Sequence, residues 1–382
     1  MNLYNSYDPL HEKKYFSNFS DCLFSISRLQ INITIKKICI FGITFLILGS
    51  SYSQENLTYQ KPPKAILELV NAPLTPSVQM DSKGENIVLL FRDPFKSIAE
   101  LSEKEMRLGG LRINPKTNIG SRTNYYNNIE VMKATTKEVR KVTGIPLNAR
   151  IANLRWSPDQ KMVAFTNTAI NGVEVWVLNI KQASVKKLTE ANVNANLRNS
   201  FVWFKDNSAL LVKMLPADRK ELINTHETIP DGPTITVSSG SKAQNWTYQD
   251  LLKNPNDEHN FEQLSRSAII KVNLDGSKSK WVPAAMYSSI SFSPDGKYIM
   301  ISAIKRPFSY IVPYRRFPSV TTIFDPSGKV VKEILEVPLT EVLPKGFMAV
   351  REGKRNLRWR ADHPATLVWV EALDGGNPAN KV

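Results

Sequence analysis

Three arginines stand among tyrosines, phenylalanines and prolines in one short stretch, Arg306-Pro307-Phe308-Ser309-Tyr310-Ile311-Val312-Pro313-Tyr314-Arg315-Arg316-Phe317-Pro318. A guanidinium is a planar fork that holds a carboxylate through two parallel hydrogen bonds, and it sits well beside aromatic faces. Prolines stiffen such a segment, so presenting its side chains costs less entropy. Arg306, Tyr310, Arg315 and Arg316 are therefore candidate substrate-binding residues for an acidic group. The alternative is a proline-rich crossing between strands that carries solvated arginines. A second basic stretch, Arg351, Lys354, Arg355, Arg358 and Arg360, fits one solvated strand face.

Other chemistry is sparse. The four histidines, His11, His226, His259 and His363, share no metal-ligand spacing, so no metal site is expected. No Gly-x-Ser-x-Gly elbow occurs; Gly49-Ser50-Ser51-Tyr52-Ser53 fails at its last position. A Gly-rich phosphate loop ending in Lys-Ser/Thr is missing too, and no cofactor is implied. Acidic pairs such as Asp257-Glu258 sit in polar sequence, where a solvated turn accounts for them. No catalytic residue is assigned.

The elements that would position these residues are β-strands in a repeat. Phe292-Ser293-Pro294-Asp295-Gly296-Lys297 joins an apolar run to Tyr298-Ile299-Met300-Ile301. Pro fixes φ and Gly accepts positive φ, so Pro-Asp-Gly between apolar runs predicts a hairpin. The pattern recurs at Trp156-Ser157-Pro158-Asp159, Trp203-Phe204-Lys205-Asp206 and Trp359-Arg360-Ala361-Asp362, and more faintly at Met80-Asp81-Ser82-Lys83-Gly84. Trp156 and Trp203 lie roughly 47 residues apart, the length of one four-stranded propeller blade. One hairpin cannot bury its own apolar face, so repeats of this kind stack. The expected fold is all-β: an incomplete β-propeller of four-stranded blades over residues 54–382.

Between the repeats, Gln54 to Pro76 reads as an extended segment with a short strand or helical turn. Ile98 to Met106 predicts a surface helix stopped by Gly109-Gly110. Asn171-Gly172 predicts a type I′ turn before the strand Val173–Leu178, and Ala268–Leu274 is a further strand. Thr225 to Asn245 reads as a long polar loop. Thr247 is placed as the cap of a short helix carrying Leu251 and Leu252 and ending near Asn254-Pro255.

The chain has 382 residues, of which 42% are hydrophobic and 22% charged, enough apolar content for a real core and too little charge for disorder. Its net charge of +15 points to an anionic partner. The basic residues are scattered and no nucleic-acid motif accompanies them, so nucleic acid is not expected. Lys36-Lys37, the apolar run Ile38–Leu48 and small residues to Ser53 read as an export signal. Residues 1–53 are expected to be removed, leaving no stable membrane anchor and a periplasmic or secreted protein. The only cysteines, Cys22 and Cys39, leave with the leader, so no disulfide is needed.

From about Lys61 to Pro378 the chain resembles the N-terminal propeller of prolyl oligopeptidase-family serine peptidases, in the glutamyl endopeptidase-like branch. The resemblance rests on Ala72-Pro73-Leu74-Thr75-Pro76, Leu111-Arg112-Ile113-Asn114-Pro115, Thr247-Tyr248-Gln249-Asp250-Leu251-Leu252, Arg306-Pro307-Phe308-Ser309-Tyr310, Arg316-Phe317-Pro318 and Trp359-Arg360-Ala361-Asp362. Phe261-Glu262-Gln263-Leu264-Ser265 departs from the more aromatic run expected there. The resemblance implies a propeller that caps an α/β-hydrolase domain with a Ser-Asp-His triad and filters peptide access to it. No residue here matches that triad, so the chain alone is expected to be inactive and to need the hydrolase domain as partner and a peptide as substrate. The alternative is a free-standing secreted propeller that binds a protein or glycan without catalysis.

Overall fold

The computed structural model describes residues 60–224 and 247–381. The expected leader, 1–53, and the expected loop, 225–245, lie outside the described residues. The chain divides into two compact units, Met1–Val70 and Asn71–Val382. In the first, Pro62-Pro63 leads into helix α1 (Lys64–Val70), whose opening turn is closed by Ile66 N and Leu67 N donating to Pro63 O at 3.0 Å. Among the described residues no helix is long and apolar enough to cross a membrane.

The second unit is mostly antiparallel β-sheet, with few helices. Strands β1 (Ser77–Met80) and β2 (Asn86–Phe91) are followed by an excursion holding helix α2 (Ile98–Leu101) and a small sheet of β3 (Met106–Leu108), β4 (Leu111–Asn114) and β5 (Ile119–Gly120). The strands β6 (Asn128–Lys133) and β7 (Val139–Lys141) then complete a sheet in the order β1-β2-β6-β7. A second sheet runs in chain order through β8 (Ile151–Trp156), β9 (Met162–Ala169), β10 (Gly172–Asn179) and β11 (Ser184–Lys187).

A seven-stranded sheet follows, formed by β12 (Phe201–Trp203), β13 (Ala209–Met214), β14 (Ser267–Asn273), β15 (Lys278–Phe292), β16 (Ile299–Ile304), β17 (Ser319–Phe324) and β18 (Val330–Val337). Helix α3 (Pro255–Ser265) lies between β13 and β14. The 15-residue β15 pairs with β14 through Lys278–Ala285 and with β16 through Met286–Phe292. The seven strands are thus two successive meanders that share one long strand. A last pair, β19 (Arg355–Trp359) and β20 (Leu367–Val370), forms a two-stranded sheet.

Each meander buries one face on the next. Val88, Leu90, Ile129 and Val131 of the first sheet pack with Ile151, Val163, Phe165 and Leu178 of the second. Val173, Val175 and Val177 pack in turn with Phe201, Trp203, Leu210 and Val212. Leu211 and Ile269 meet Trp281, Ile290, Ile299 and Ile301. Each large side chain so buried contributes about 1.5–3 kcal/mol, far more than β-propensity alone supplies.

The repeated turns share one hydrogen-bond pattern. Ser157 Oγ donates to Asp159 Oδ1 at 2.7 Å, and that oxygen accepts Lys161 N at 3.1 Å. Ser293, Asp295 and Lys297 reproduce this at 2.6 and 3.1 Å. The position needing positive φ is Gly84, Gln160, Asn207 and Gly296 in successive turns. Neighbouring turns also touch. Ser82 N donates to Gln160 Oε1, Asp159 N to Asn207 Oδ1, and Asp295 N to Pro364 O, at 2.9–3.0 Å. A Cβ on Gly296 would stand 2.8 Å from Lys205 Cβ. Trp203 Nε1 donates to Arg155 O and Trp359 Nε1 to Ser291 O, each tryptophan bonding back to the preceding repeat.

Three local expectations change. The Gly109-Gly110 pair, with φ of 58° and 84°, is the two-residue loop of the β3–β4 hairpin rather than a helix stop, so α2 covers only four residues. Gly172 opens β10 after an Ile170-Asn171 loop, and its missing Cβ leaves room for the Ala191 carbonyl. Helix α3 begins where one was expected to end. Asn254 is its N-cap, accepting Asp257 N at 2.9 Å, and Pro255 occupies the first turn, where no N–H is required.

Candidate functional site

The proline-rich stretch crosses from β16 to β17 and is anchored by its apolar residues. Phe308, Val312, Tyr314 and Phe317 are buried with Leu108, Ile113, Leu252, Phe261 and Leu264. Phe261 meets Phe308 and Phe317 edge-on at 5.2 and 5.6 Å, and those two stack on each other at 5.3 Å. Aromatic pairs in these geometries add about 0.5–1.5 kcal/mol each beyond area burial.

Backbone and charge tie the same region together. Tyr314 N donates to Gly109 O at 2.8 Å and Gly110 N to Asp250 O at 2.7 Å. Arg112 Nε donates to Asp250 Oδ2 at 2.5 Å. Three stretches far apart in sequence, 106–115, 247–252 and 306–318, thereby form one platform beside α3. The carbonyl of Leu264, at the end of α3, accepts the amides of Asn118, Asn194 and Asn196 at 3.0–3.3 Å. That anchors the helix C-terminus to the connections between strands and satisfies a carbonyl that the helix itself leaves open.

The four candidate residues sit on this platform but do not converge on one point. Arg306 donates to Glu258 Oε2 at 2.6 Å and to Glu262 Oε2 at 2.8 Å, both on α3, and lies 4.3 Å from the centre of the Phe308 ring. Burial works against its charge, yet the bonds to Glu262 and Glu258 hold its pKa above the ordinary arginine value. Tyr310 is 43% exposed; burial first, and then the Glu258 carboxylate, push its hydroxyl pKa up. Arg306 and Tyr310 therefore share one acidic neighbour. Arg315 leans on Tyr314, with Nε 3.4 Å from the hydroxyl, which raises its pKa. Arg316 stacks 5.3 Å from the Tyr248 ring centre. The three guanidiniums point to three partners, and Arg306 already holds two carboxylates.

Residues that sequence reasoning passed over complete the region. Arg107 and Lys253, with Glu105 and Asp257, edge a cleft of about 440 Å³ between β3 and the start of α3. Lys213 on β13 is fully buried and donates to Asn196 O at 2.6 Å, Leu197 O at 2.9 Å and Tyr287 O at 3.5 Å. A lysine inside an apolar strand reads as a surface residue in sequence, so only the surrounding carbonyls reveal its role. Among the described residues no three carboxylate, imidazole or thiol groups cluster as a metal would need.

No family model matches the chain. It is 35% identical over 340 residues to a rice (Oryza sativa subsp. japonica) protein named probable glutamyl endopeptidase, chloroplastic, across 85% of this chain and 36% of that one. The Arabidopsis thaliana protein of the same name is 33% identical over 337 residues, across 85% and 35%. The chain thus spans about a third of the length of these curated relatives. Among solved structures it is similar to an acylaminoacyl peptidase of Pyrococcus horikoshii, with 15% identity, a TM-score of 0.38, and coverage of 71% of this chain and 33% of that one. Over the part that aligns with its plant relatives, the chain is similar to proteins named glutamyl endopeptidase, the branch of the prolyl oligopeptidase family that its motifs resemble.

Proposed function

We propose that this chain is the β-propeller portion of an exported serine peptidase of that family, gating and binding peptide ahead of hydrolysis after Glu in the complete protein. The observation that carries the reading is the 35% identity over 340 residues to a protein named glutamyl endopeptidase, of which this chain spans about a third. Successive four-stranded meanders, each stacked on the next through equivalent turns and tryptophans, support the propeller. Catalysis belongs to an α/β-hydrolase domain joined to this chain, which by itself binds peptide without cleaving it. Within the chain, Arg306, Tyr310, Arg315 and Arg316 are the substrate-facing residues on the platform beside α3.

The test is a rebuilt enzyme, this chain joined to a hydrolase domain of the same branch. It is expected to cleave after Glu, while the chain alone turns over neither Glu nor Gln peptides and takes no serine-directed fluorophosphonate. Arg306→Ala and Arg316→Ala are each expected to lower the Glu/Gln ratio of kcat/KM by about tenfold, a charge-assisted bond's worth. An unchanged ratio in both variants returns the loop to a structural role. Stoichiometric labelling of the chain alone overturns the assignment of catalysis to another domain.

A further inference from the structure

A second basic site is lined by residues other than those of the proline-rich platform. Arg155, Arg198, Asn199, Ser200, Phe201 and Asn153 line a cleft of about 330 Å³ where β8 approaches the chain entering β12. Arg155 and Arg198 are exposed, and neither makes an ion pair among the described residues. No carboxylate residue lines the cleft. Ser200 is 2% exposed, yet its Oγ has no hydrogen-bond partner. A buried hydroxyl without a partner is unfavourable, so a ligand that accepts from it recovers that loss.

The walls are held in shape from behind. β8 is bulged between Ala152 and Arg155, with Asn153 at φ of 55°, and bulges of this kind re-aim the side chains beside them. Arg155 O accepts Trp203 Nε1 at 3.1 Å, which fixes the strand carrying that arginine to the next meander. On the other wall, Leu197 and Arg198 both have positive φ, and Lys213 holds the Asn196 and Leu197 carbonyls beneath them. Both β8 and β12 are edge strands of their sheets, so the cleft opens along a sheet edge.

We infer that this cleft binds the side-chain carboxylate of an acidic peptide, with Arg155 and Arg198 supplying charge and Asn199 and Ser200 supplying hydrogen bonds. Two guanidiniums with no acidic neighbour form a region of positive potential, and a carboxylate matches their donors in both charge and geometry. The inference rests on the peptide-handling reading above and adds a point of contact on the incoming chain, separate from the Arg306 platform.

The test uses the full chain and fluorescent hexapeptides that are acetylated at the N-terminus and amidated at the C-terminus, carrying either two Glu or two Gln residues. Fluorescence anisotropy is expected to show the Glu peptide binding at least tenfold more tightly than the Gln peptide. Arg155→Gln and Arg198→Gln should each remove about five- to tenfold of that preference, a modest value because both groups face solvent. Ser200→Ala should weaken Glu binding less and leave the Gln peptide unaffected. Lys332→Gln, an exposed cation on β18, serves as control. An equal loss in the control, or equal affinity for the two peptides, overturns the site. A Gln peptide with a free C-terminal carboxylate that binds as tightly as the Glu peptide overturns the side-chain assignment. A chain that ignores acidic peptides while the rebuilt enzyme still cleaves after Glu sinks this site and spares the peptidase reading; the reverse result does the opposite.

Discussion

Lys213 shows most plainly how a single residue can couple this fold to solution conditions. Burial pushes its ammonium down to about 7 from 10.5, while the three carbonyls it faces favour the charged form. With the folded pKa below the unfolded one, the unfolded chain binds more protons between those values. Stability therefore rises with pH from about 7 to about 10.5, by at most about 1.4 kcal/mol per pH unit for one group. Lys213→Met is expected to remove that slope, read as the wild-type minus variant difference in urea unfolding free energy from pH 6 to 10. Parallel profiles would show that Lys213 keeps its proton throughout. Nothing in the sequence near Lys213 separates it from the exposed lysines, because what distinguishes it are the carbonyls of residues 16, 17 and 74 positions away.

Helix α3 is the element that organises the platform. Its Glu258 and Glu262 receive Arg306, its Phe261 meets Phe308 and Phe317, and its Leu264 carbonyl is held by three asparagines from the connections between strands. The cap decides where it starts. Asn254→Ala is expected to cost about 1 kcal/mol and lower the melting temperature, whereas Asn254→Asp should stay near wild type. An unchanged melting temperature for the alanine variant would mean that tertiary packing alone sets the helix start. Reading Pro255 as a terminator was natural, since proline breaks helix interiors, but the same residue is favoured in a first turn. The choice between those roles depends on whether Phe261 and Leu264 find a core, and that core comes from strands and loops far away in the sequence.

At the scale of the molecule, the second unit is a succession of sheets, each incomplete without its neighbours. The expected export signal lies outside the described residues. Lys36-Lys37 and the apolar run after them predict a mature chain beginning close to Gln54. Expressed in a Gram-negative host, the protein should fractionate with the periplasm, and intact mass should show that the leader has gone. A membrane-bound product that retains residues 1–53 would replace the cleaved signal with an anchor. Export and a basic surface are compatible readings: the net charge of +15 has no nucleic-acid motif beside it, and the cleft of Arg155 and Arg198 has no carboxylate in its lining.

The sequence by itself determined the hairpins that turn at Ser-Pro-Asp and its variants. Ser-Pro-Asp turns are local chemistry, and a Ser hydroxyl and an Asp carboxylate two residues apart close the same hydrogen bonds wherever they occur. It also singled out the arginine-rich stretch, because composition is legible without contacts. Only the tertiary structure decided that Arg306 already holds Glu258 and Glu262, that Gly109-Gly110 turns a hairpin, and that Arg155 and Arg198 share a cleft without a counter-charge. The Arg306 pairs and the Arg155–Arg198 cleft depend on residues brought together across tens of positions. Their pairing is set by how stacked sheets bury their apolar faces, and the order of residues along one strand does not encode it.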